Sequence, residues 1–495
     1  MLINAELLLQ YQRCKRRPFL DIHGDRSQRD APSELLVKLQ QDKIAYQLGV
    51  LAKFTYSRPE YPKGNWGAGQ AATLELMQRG VEYIHQGVLL ANYHDLSESI
   101  SEFAEDKDYT CLSRPDLLIK QPGKSRFGDW VYVPANIELG KRPKQEYQVV
   151  IAFHTQVLGI VQGVRPKIAW LKLRSKDTGY AVDLLKWTPQ MQQILAEMIQ
   201  ALETPDAPEV FISRQKCNLC HWYSQCYAIA QAQKHLSLLP GITPIRYTQL
   251  QALEITSLEA LAHTDPSVLE NLVGFDREVA PKLIIQAQSS LQKRPFVLPY
   301  PLHTESVTFS APIEIYFDIE AQPDLNLDYL LGVLVVDTQT KTEKFYSFLA
   351  EQPEQEALIW QQFLDLVGKY PQAPIYHFCV YEFDTVKRLA NLYRTPHTAV
   401  NPVLNRFVDI YEQLTQSVAL PIESYALKAI ARWLGFEWRN PEASGAKCIY
   451  WYDQWLETGD RTLLETIKLY NEDDCRATHS VKNWLVEFRE LGARG

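Results

Sequence analysis

No run of apolar residues in this chain approaches the ~20 that a membrane-spanning helix needs, so an integral helical membrane protein is excluded as a reading. Long low-complexity tracts are missing as well. The opening residues lack the order of an export signal, because the basic cluster Arg13-Cys14-Lys15-Arg16-Arg17 follows a short apolar stretch instead of preceding it. A cytoplasmic location is the expectation. Excess positive charge is lacking too: 51 Lys+Arg stand against 59 Asp+Glu, a net charge of −8. That balance argues against a nucleic-acid partner only until its distribution is read. Residues 1–230 hold 28 basic against 25 acidic side chains, 231–299 hold 6 against 6, and 300–495 hold 17 against 28. Any electrostatic grip on phosphates would come from the front of the chain, and it would be modest.

What is present is globular: 46% hydrophobic and 22% charged residues over 495 positions, enough for two or three domains. Residues 1–230 mix helical patterns with strands such as Asp116–Ile119 and Trp130–Val133. Residues 235–295 read as short helices separated by Pro-Gly turns. The three prolines within Arg294–Pro301 predict a stiff linker. An α/β segment follows over 310–490, with strands around Asp318 and over Tyr329–Val336.

Asp318-Ile319-Glu320 ends the apolar run Ile313–Phe317, which reads as a buried strand. Residues two apart on a strand share a face, so both carboxylates project together. Such a pair is costly unless a cation or a shared proton neutralises it. A metal-dependent phosphodiester hydrolase uses that arrangement to hold Mg²⁺ or Mn²⁺. Chance also supplies many Asp-x-Glu triplets, so the residues downstream decide its meaning.

A second Cys-x-x-Cys knuckle, which would spell out zinc, is absent. Three of the eight cysteines instead cluster as Cys217-x2-Cys220-x5-Cys226, and Cys14 stands alone in the basic cluster. Thiols so spaced are more often ligands than disulfide partners. Four thiolates could hold a [4Fe–4S] cluster, with zinc as the alternative. Unrelated buried cysteines are the simpler reading, and the one expected for Cys111, Cys379, Cys448 and Cys475.

Tyr11-Gln12-Arg13-Cys14-Lys15-Arg16-Arg17-Pro18-Phe19-Leu20-Asp21, together with the Cys-x2-Cys-x5-Cys tail, resembles the iron–sulfur-stapled RecB-type nucleases of the PD-(D/E)XK class. The layout of the whole chain resembles RecB-like nucleases carrying a C-terminal YprB-type ribonuclease H-like domain. The resemblance implies an α/β multidomain protein. It would have a PD-(D/E)XK restriction-endonuclease-like domain over 1–230, a helix-hairpin-helix-like segment over 235–295 and a ribonuclease H-like domain over 310–490.

In that N-terminal class the resemblance implies acids on a helix and at a strand start, then an acid-x-Lys on the next strand. Arg114-Pro115-Asp116-Leu117 fits the strand start. The helix pair falls on Tyr46-Gln47, the acid-x-Lys element on Asn136-Ile137-Glu138, and a Gln-x3-Tyr element on Val150 and His154. Asp116 is then the one acid in place, and a catalytically silent binding platform is expected. A shifted set of Asp116, Glu138 and Lys141 is the alternative. Lys141, Arg142 and Lys144 form a solvated or phosphate-facing patch. In the middle segment, Leu239–Thr243 and Leu272–Asp276 resemble hairpin turns that contact phosphate, although Thr243 and Asp276 stand where a second glycine is usual. A structural spacer is an equal reading.

The resemblance implies four carboxylates for two metals in the C-terminal domain. Asp318 and Glu320 supply the first pair. Glu382, in His377-Phe378-Cys379-Val380-Tyr381-Glu382, takes the third place, with Asp384 as its competitor. Tyr470 and Asp474, four apart on a helix and so on one face, match the Tyr-x3-Asp element. Asp474 would bind metal, while the Tyr470 phenol would orient water by hydrogen bonding at its ordinary pKa of ~10. Asp409 is read as either lining the site or as a strand-end structural acid, and Ser424–Ile430 as a packing helix. The expectation is a metal-dependent nuclease cutting DNA or RNA, from a single-stranded 3′ end. Its rivals are a non-catalytic nucleic-acid-binding adaptor and a nuclease working through Asp116.

Overall fold

The computed structural model describes residues 1–96, 109–298 and 311–492. The chain divides into two compact units, residues 1–210 with 214–227, and residues 211–213 with 228–495. Among the described residues no helix is long and apolar enough to cross a membrane.

The first unit is α/β with two sheets. Strands β1 (Leu2–Asn4), β4 (Thr110–Ser113) and β3 (Leu89–Asn92) form one. The other runs β2 (Tyr83–His85), β5 (Leu117–Ser125), β6 (Gly128–Glu138), β7 (Trp170–Leu173) and β8 (Lys176–Ala181). The helix Gln145–Gln162 is buried from Tyr147 to Gly159 without a polar face of its own, so it forms the centre of the core. Its buried His154 is answered by Ser113, with Oγ and Nδ1 2.8 Å apart, and burial lowers its pKa to about 3.

The second unit begins with short helices, including Pro244–Ala252 and Val279–Gln292. Thr243 caps the first, accepting from Arg246 N, and Arg246 ties both hairpin turns by donating to the carbonyls of Gly241 and Gly274. The proline-rich segment after them is only partly a spacer. Phe296–Val297 forms β9 and pairs with β15 (Val418–Ala419), since neither residue is a proline and both keep their backbone N–H groups for the ladder. Pro299-Tyr300-Pro301 lies outside the described residues.

The main sheet of this unit has the order β12 (Thr342–Leu349), β11 (Leu327–Asp337), β10 (Ile313–Gln322), β13 (Ile375–His377), β14 (Phe407–Asp409). The first two pairings are antiparallel and the last two parallel. Counted along the chain the order is 3-2-1-4-5, with β10 central. Alternation on β10 explains its two surfaces. Ile315, Phe317 and Ile319 pack with Trp360 and Phe363 of the helix Glu356–Gly368. Glu314, Tyr316, Asp318 and Glu320 face the other way, where the 32-residue helix Arg461–Gly492 covers the sheet.

Candidate active site

The polar surface of β10 is met by two kinds of partner from one helix. Glu314 is neutralised by Lys482, whose Nζ lies 2.6 Å from Oε1, and Tyr316 donates to its other oxygen at 2.6 Å. Four residues further along the strand the treatment changes. Asp318 accepts from the neutral amide Asn471 Nδ2 at 2.6 Å, and neither Asp318 nor Glu320 forms an ion pair with a side-chain cation among the described residues. A register shift between Glu320 and Ala321 marks the point where the strand leaves its regular pairing, a common device beside reacting groups.

Asp318, Glu320 and Asp474 each offer an oxygen, and these atoms lie within 4.8 Å of one another. Glu382 joins them electrostatically from the first turn of the helix Tyr381–Leu392, raising the pKa of both Asp318 and Glu320. Burial is the first cause that pushes Asp318 and Glu320 well above the ordinary carboxylate range, and the charges of their neighbours add to it. Asp474 is carried by burial up to about 7, against the pull of hydrogen bonds from Trp438 and Tyr470. The Trp438 indole donates to Asp474 Oδ1 at 2.8 Å. Glu382 is raised by burial while His377, whose Nδ1 lies 3.5 Å from Oε2, works to lower it. Carboxylates this close, with no lysine or arginine ion pair at Asp318 or Glu320 among the described residues, have the donor chemistry of a hard divalent cation site.

The rival acid, Asp384, is exposed on the same helix. Asp409 does structural work at the margin: its Oδ1 accepts from Cys379 N at 3.1 Å and from Glu412 N at 3.2 Å. Cys379 has φ +77°, a left-handed conformation that a cysteine rarely adopts, so this anchored turn sets where Glu382 begins its helix. Ser424 and Tyr425 precede the helix Leu427–Trp433 instead of lying in it, because Ala426 is extended at its N-cap. Lys428 of that helix holds the carbonyls of Pro441 and Ala443 and sits 5.8 Å from the Tyr470 ring centre. Asn471, Trp438 and Lys428 escape sequence reasoning, since each acts through contacts that leave no local pattern.

In the first unit, Leu117 pairs with Ala135, which carries Asp116 alongside Asn136. Asp116 Oδ1 accepts from Gln47 Nε2 at 3.1 Å and Oδ2 from Ile137 N at 2.7 Å, while Asn136 Oδ1 is buried without a partner among the described residues. The cation here is not Lys141 of the alternative shifted set, which is exposed with Arg142 and Lys144. It is Lys43, whose Nζ lies 3.3 Å from Glu138 Oε2. Lys43 and Gln47 are four apart on one helix face, a spacing that was there to be read. Val150 and His154 are buried in the central helix, so neither offers a group to a ligand.

The four cysteines come from the two ends of the first unit, and none of them is in a disulfide. Cys14 terminates the helix Ala5–Arg13, Cys217 closes the short helix Arg214–Cys217, and Cys220 and Cys226 feel the charge of Cys14. Burial raises Cys220, and raises Cys226 to about 11, while Arg17 and Arg16 respectively oppose that rise. Asp21 fastens the same ends, accepting from Trp222 Nε1 at 2.9 Å and lying 2.7 Å from His221 Nε2.

Residues 315–486 match the family model RNase_H_2 of the RNase_H superfamily. The C-terminal domain is ribonuclease H-like. The match spans the central strand β10 through the long helix, and so contains every carboxylate of the cluster. Ribonuclease H-like domains are in general phosphodiester hydrolases that use Mg²⁺ or Mn²⁺, so this one is consistent with a metal-dependent nuclease acting on nucleic acid. No curated protein matches the chain.

Proposed function

We propose that this protein is a 3′–5′ exonuclease whose ribonuclease H-like domain cuts DNA or RNA by the two-metal route, with Asp318, Glu320, Glu382 and Asp474 as ligands. The observation that carries the reading is the carboxylate cluster, half-buried at Asp318 and buried at Glu320, which among the described residues is free of side-chain ion pairs at Asp318 and Glu320, on a strand whose other acid, Glu314, has its own lysine. Divalent metal would supply an activated water and neutralise the charge that develops on the scissile phosphate. Tyr470, on the helix face of Asp474, would orient the attacking water by hydrogen bonding; burial raises its phenol far above its ordinary pKa, so it keeps its proton. Trp438 holds Asp474 in place, and Asp409 fixes the turn that aims Glu382.

The first unit would be a PD-(D/E)XK-type domain of the RecB-like class whose own centre is silent. Asp116 is spent on Gln47 and a backbone amide, and Lys43 neutralises Glu138. Cys14, Cys217, Cys220 and Cys226 would hold a [4Fe–4S] cluster, beside two arginines that offset its negative charge. Lys141, Arg142 and Lys144 would touch the strand. The protein would act in the cytoplasm.

The test is hydrolysis of 3′-labelled single strands of DNA and of RNA in Mn²⁺, by wild type and by Asp318→Ala. Stepwise shortening by wild type and none by the variant is expected. Loss of cleavage in Asp116→Ala with Asp318→Ala still active would move the centre to the first unit. Binding without turnover under any divalent metal would leave an adaptor. Anaerobically purified protein should be brown, with broad absorbance near ~400 nm; colourless protein containing zinc would remove the iron–sulfur assignment.

A further inference from the structure

Asp318 stands directly across the β10–β11 pair from Gly332, so any side chain at 332 would rise beside its carboxylate on the same surface. There is none, and the space is taken from elsewhere. A Cβ built on Gly332 would lie 1.6 Å from Asn471 Oδ1 and 2.7 Å from its Cγ. Asn471 is fully buried, its amide carbon and oxygen lie against the bare backbone of β11, and its Nδ2 reaches Asp318 Oδ2 at 2.6 Å. Its Oδ1 has no hydrogen-bond partner among the described residues. Turning the amide over would set that oxygen against the carboxylate, so the interaction fixes the orientation.

We infer that Asn471, admitted by Gly332, is a positioning residue that ties down one oxygen of Asp318 and presents the other to the metal. The inference rests on Asp318 being a metal ligand. An amide suits the task because it directs the carboxylate without cancelling its charge. Lys482, about three turns further along the helix, does cancel the charge of Glu314 on the same strand. Asn471 directly follows Tyr470 and precedes Asp474 by three residues, so one helix segment carries a water-orienting group, a ligand and the device that sets a second ligand.

The experiment measures Mn²⁺ binding by electron paramagnetic resonance on the full chain without nucleic acid, counting only binding that Asp318→Ala abolishes. Asn471→Leu keeps the volume and removes the donor, and Asn471→Ala removes both. Each is expected to weaken Mn²⁺ binding about 10–100-fold, the range for losing an outer-shell partner, with the circular dichroism spectrum unchanged. Gly332→Ala, which displaces the amide, should weaken binding similarly. In the Asn471→Ala background the same methyl has room and should cost nothing further, a non-additivity specific to the contact. Wild-type affinity in both Asn471 variants would overturn the inference, whether or not Gly332→Ala folds. An equal penalty from Gly332→Ala in both backgrounds would sever Gly332 from Asn471. Folded wild type that binds no Mn²⁺ would instead remove the metal reading beneath it.

Discussion

Asp474 titrates close to neutrality, with burial raising its carboxyl to about 7 while the Trp438 indole holds it down. Removing that donor in Trp438→Phe favours the protonated form, so Mn²⁺ binding should require a higher pH than in wild type. A titration of affinity against pH reads the displacement directly, and an unmoved profile would mean the indole only packs. The same carboxyl links pH to stability. Its folded pKa lies above the ~3.9 of an unfolded aspartate, so its contribution is complete below that value and is lost as pH rises through about 7. Asp318 and Glu320 act in the same direction. Metal-free protein should therefore show a falling Tm between pH ~4 and about 7, and saturating Mn²⁺ should flatten or reverse the slope. Tyr470→Phe should lower kcat by about 10²-fold through lost orientation of water, and, because Tyr470 also donates to Asp474, should move Mn²⁺ binding to higher pH in the same direction as Trp438→Phe; single-turnover kinetics at saturating Mn²⁺ separates the two.

At the scale of elements, the turn before the helix Tyr381–Leu392 concentrates several dependencies. Asp409 satisfies the amide of the left-handed Cys379 and caps the helix Ile410–Ser417. Asp409→Ala should cost about 1–3 kcal/mol in urea unfolding, from the amide left unsatisfied and the lost cap, and activity should fall as Glu382 loses its fixed origin. Strand alternation and the helical spacing of four made Asp318, Glu320, Tyr470 and Asp474 legible as candidates, because local geometry alone decides which residues share a face. Gly332 and Asn471 were illegible for the opposite reason. Their meaning is a contact across 153 residues, between Asn471 and the strand partner of Gly332, and no periodicity encodes it. Proline content suggested a linker where β9 pairs with β15, since composition reports stiffness and not the partner a segment finds.

For the whole molecule, charge is divided unevenly, and the ribonuclease H-like part lies within the acidic stretch. Binding of single strands by Asp318→Ala should weaken with salt at a slope of about −0.7 per phosphate neutralised. Replacing Lys141, Arg142 and Lys144 together by alanine should make that slope shallower by about 2, the sum for three contacts. An unchanged slope would show that the patch meets only solvent.

The long helix Arg461–Gly492 has a last consequence, in the order of assembly. Asp318 and Glu320 share a strand with a nearby antiparallel neighbour, a local structure that forms early. Asp474 reaches them only when a loop of some 150 residues has closed, the kind of contact that folds late because its entropy is lost before it is repaid. A chain that has collapsed but not docked this helix has only part of its ligand set and neither the tyrosine nor the amide that accompany it. On the proposed two-metal reading, hydrolytic competence would arrive only when this helix has docked.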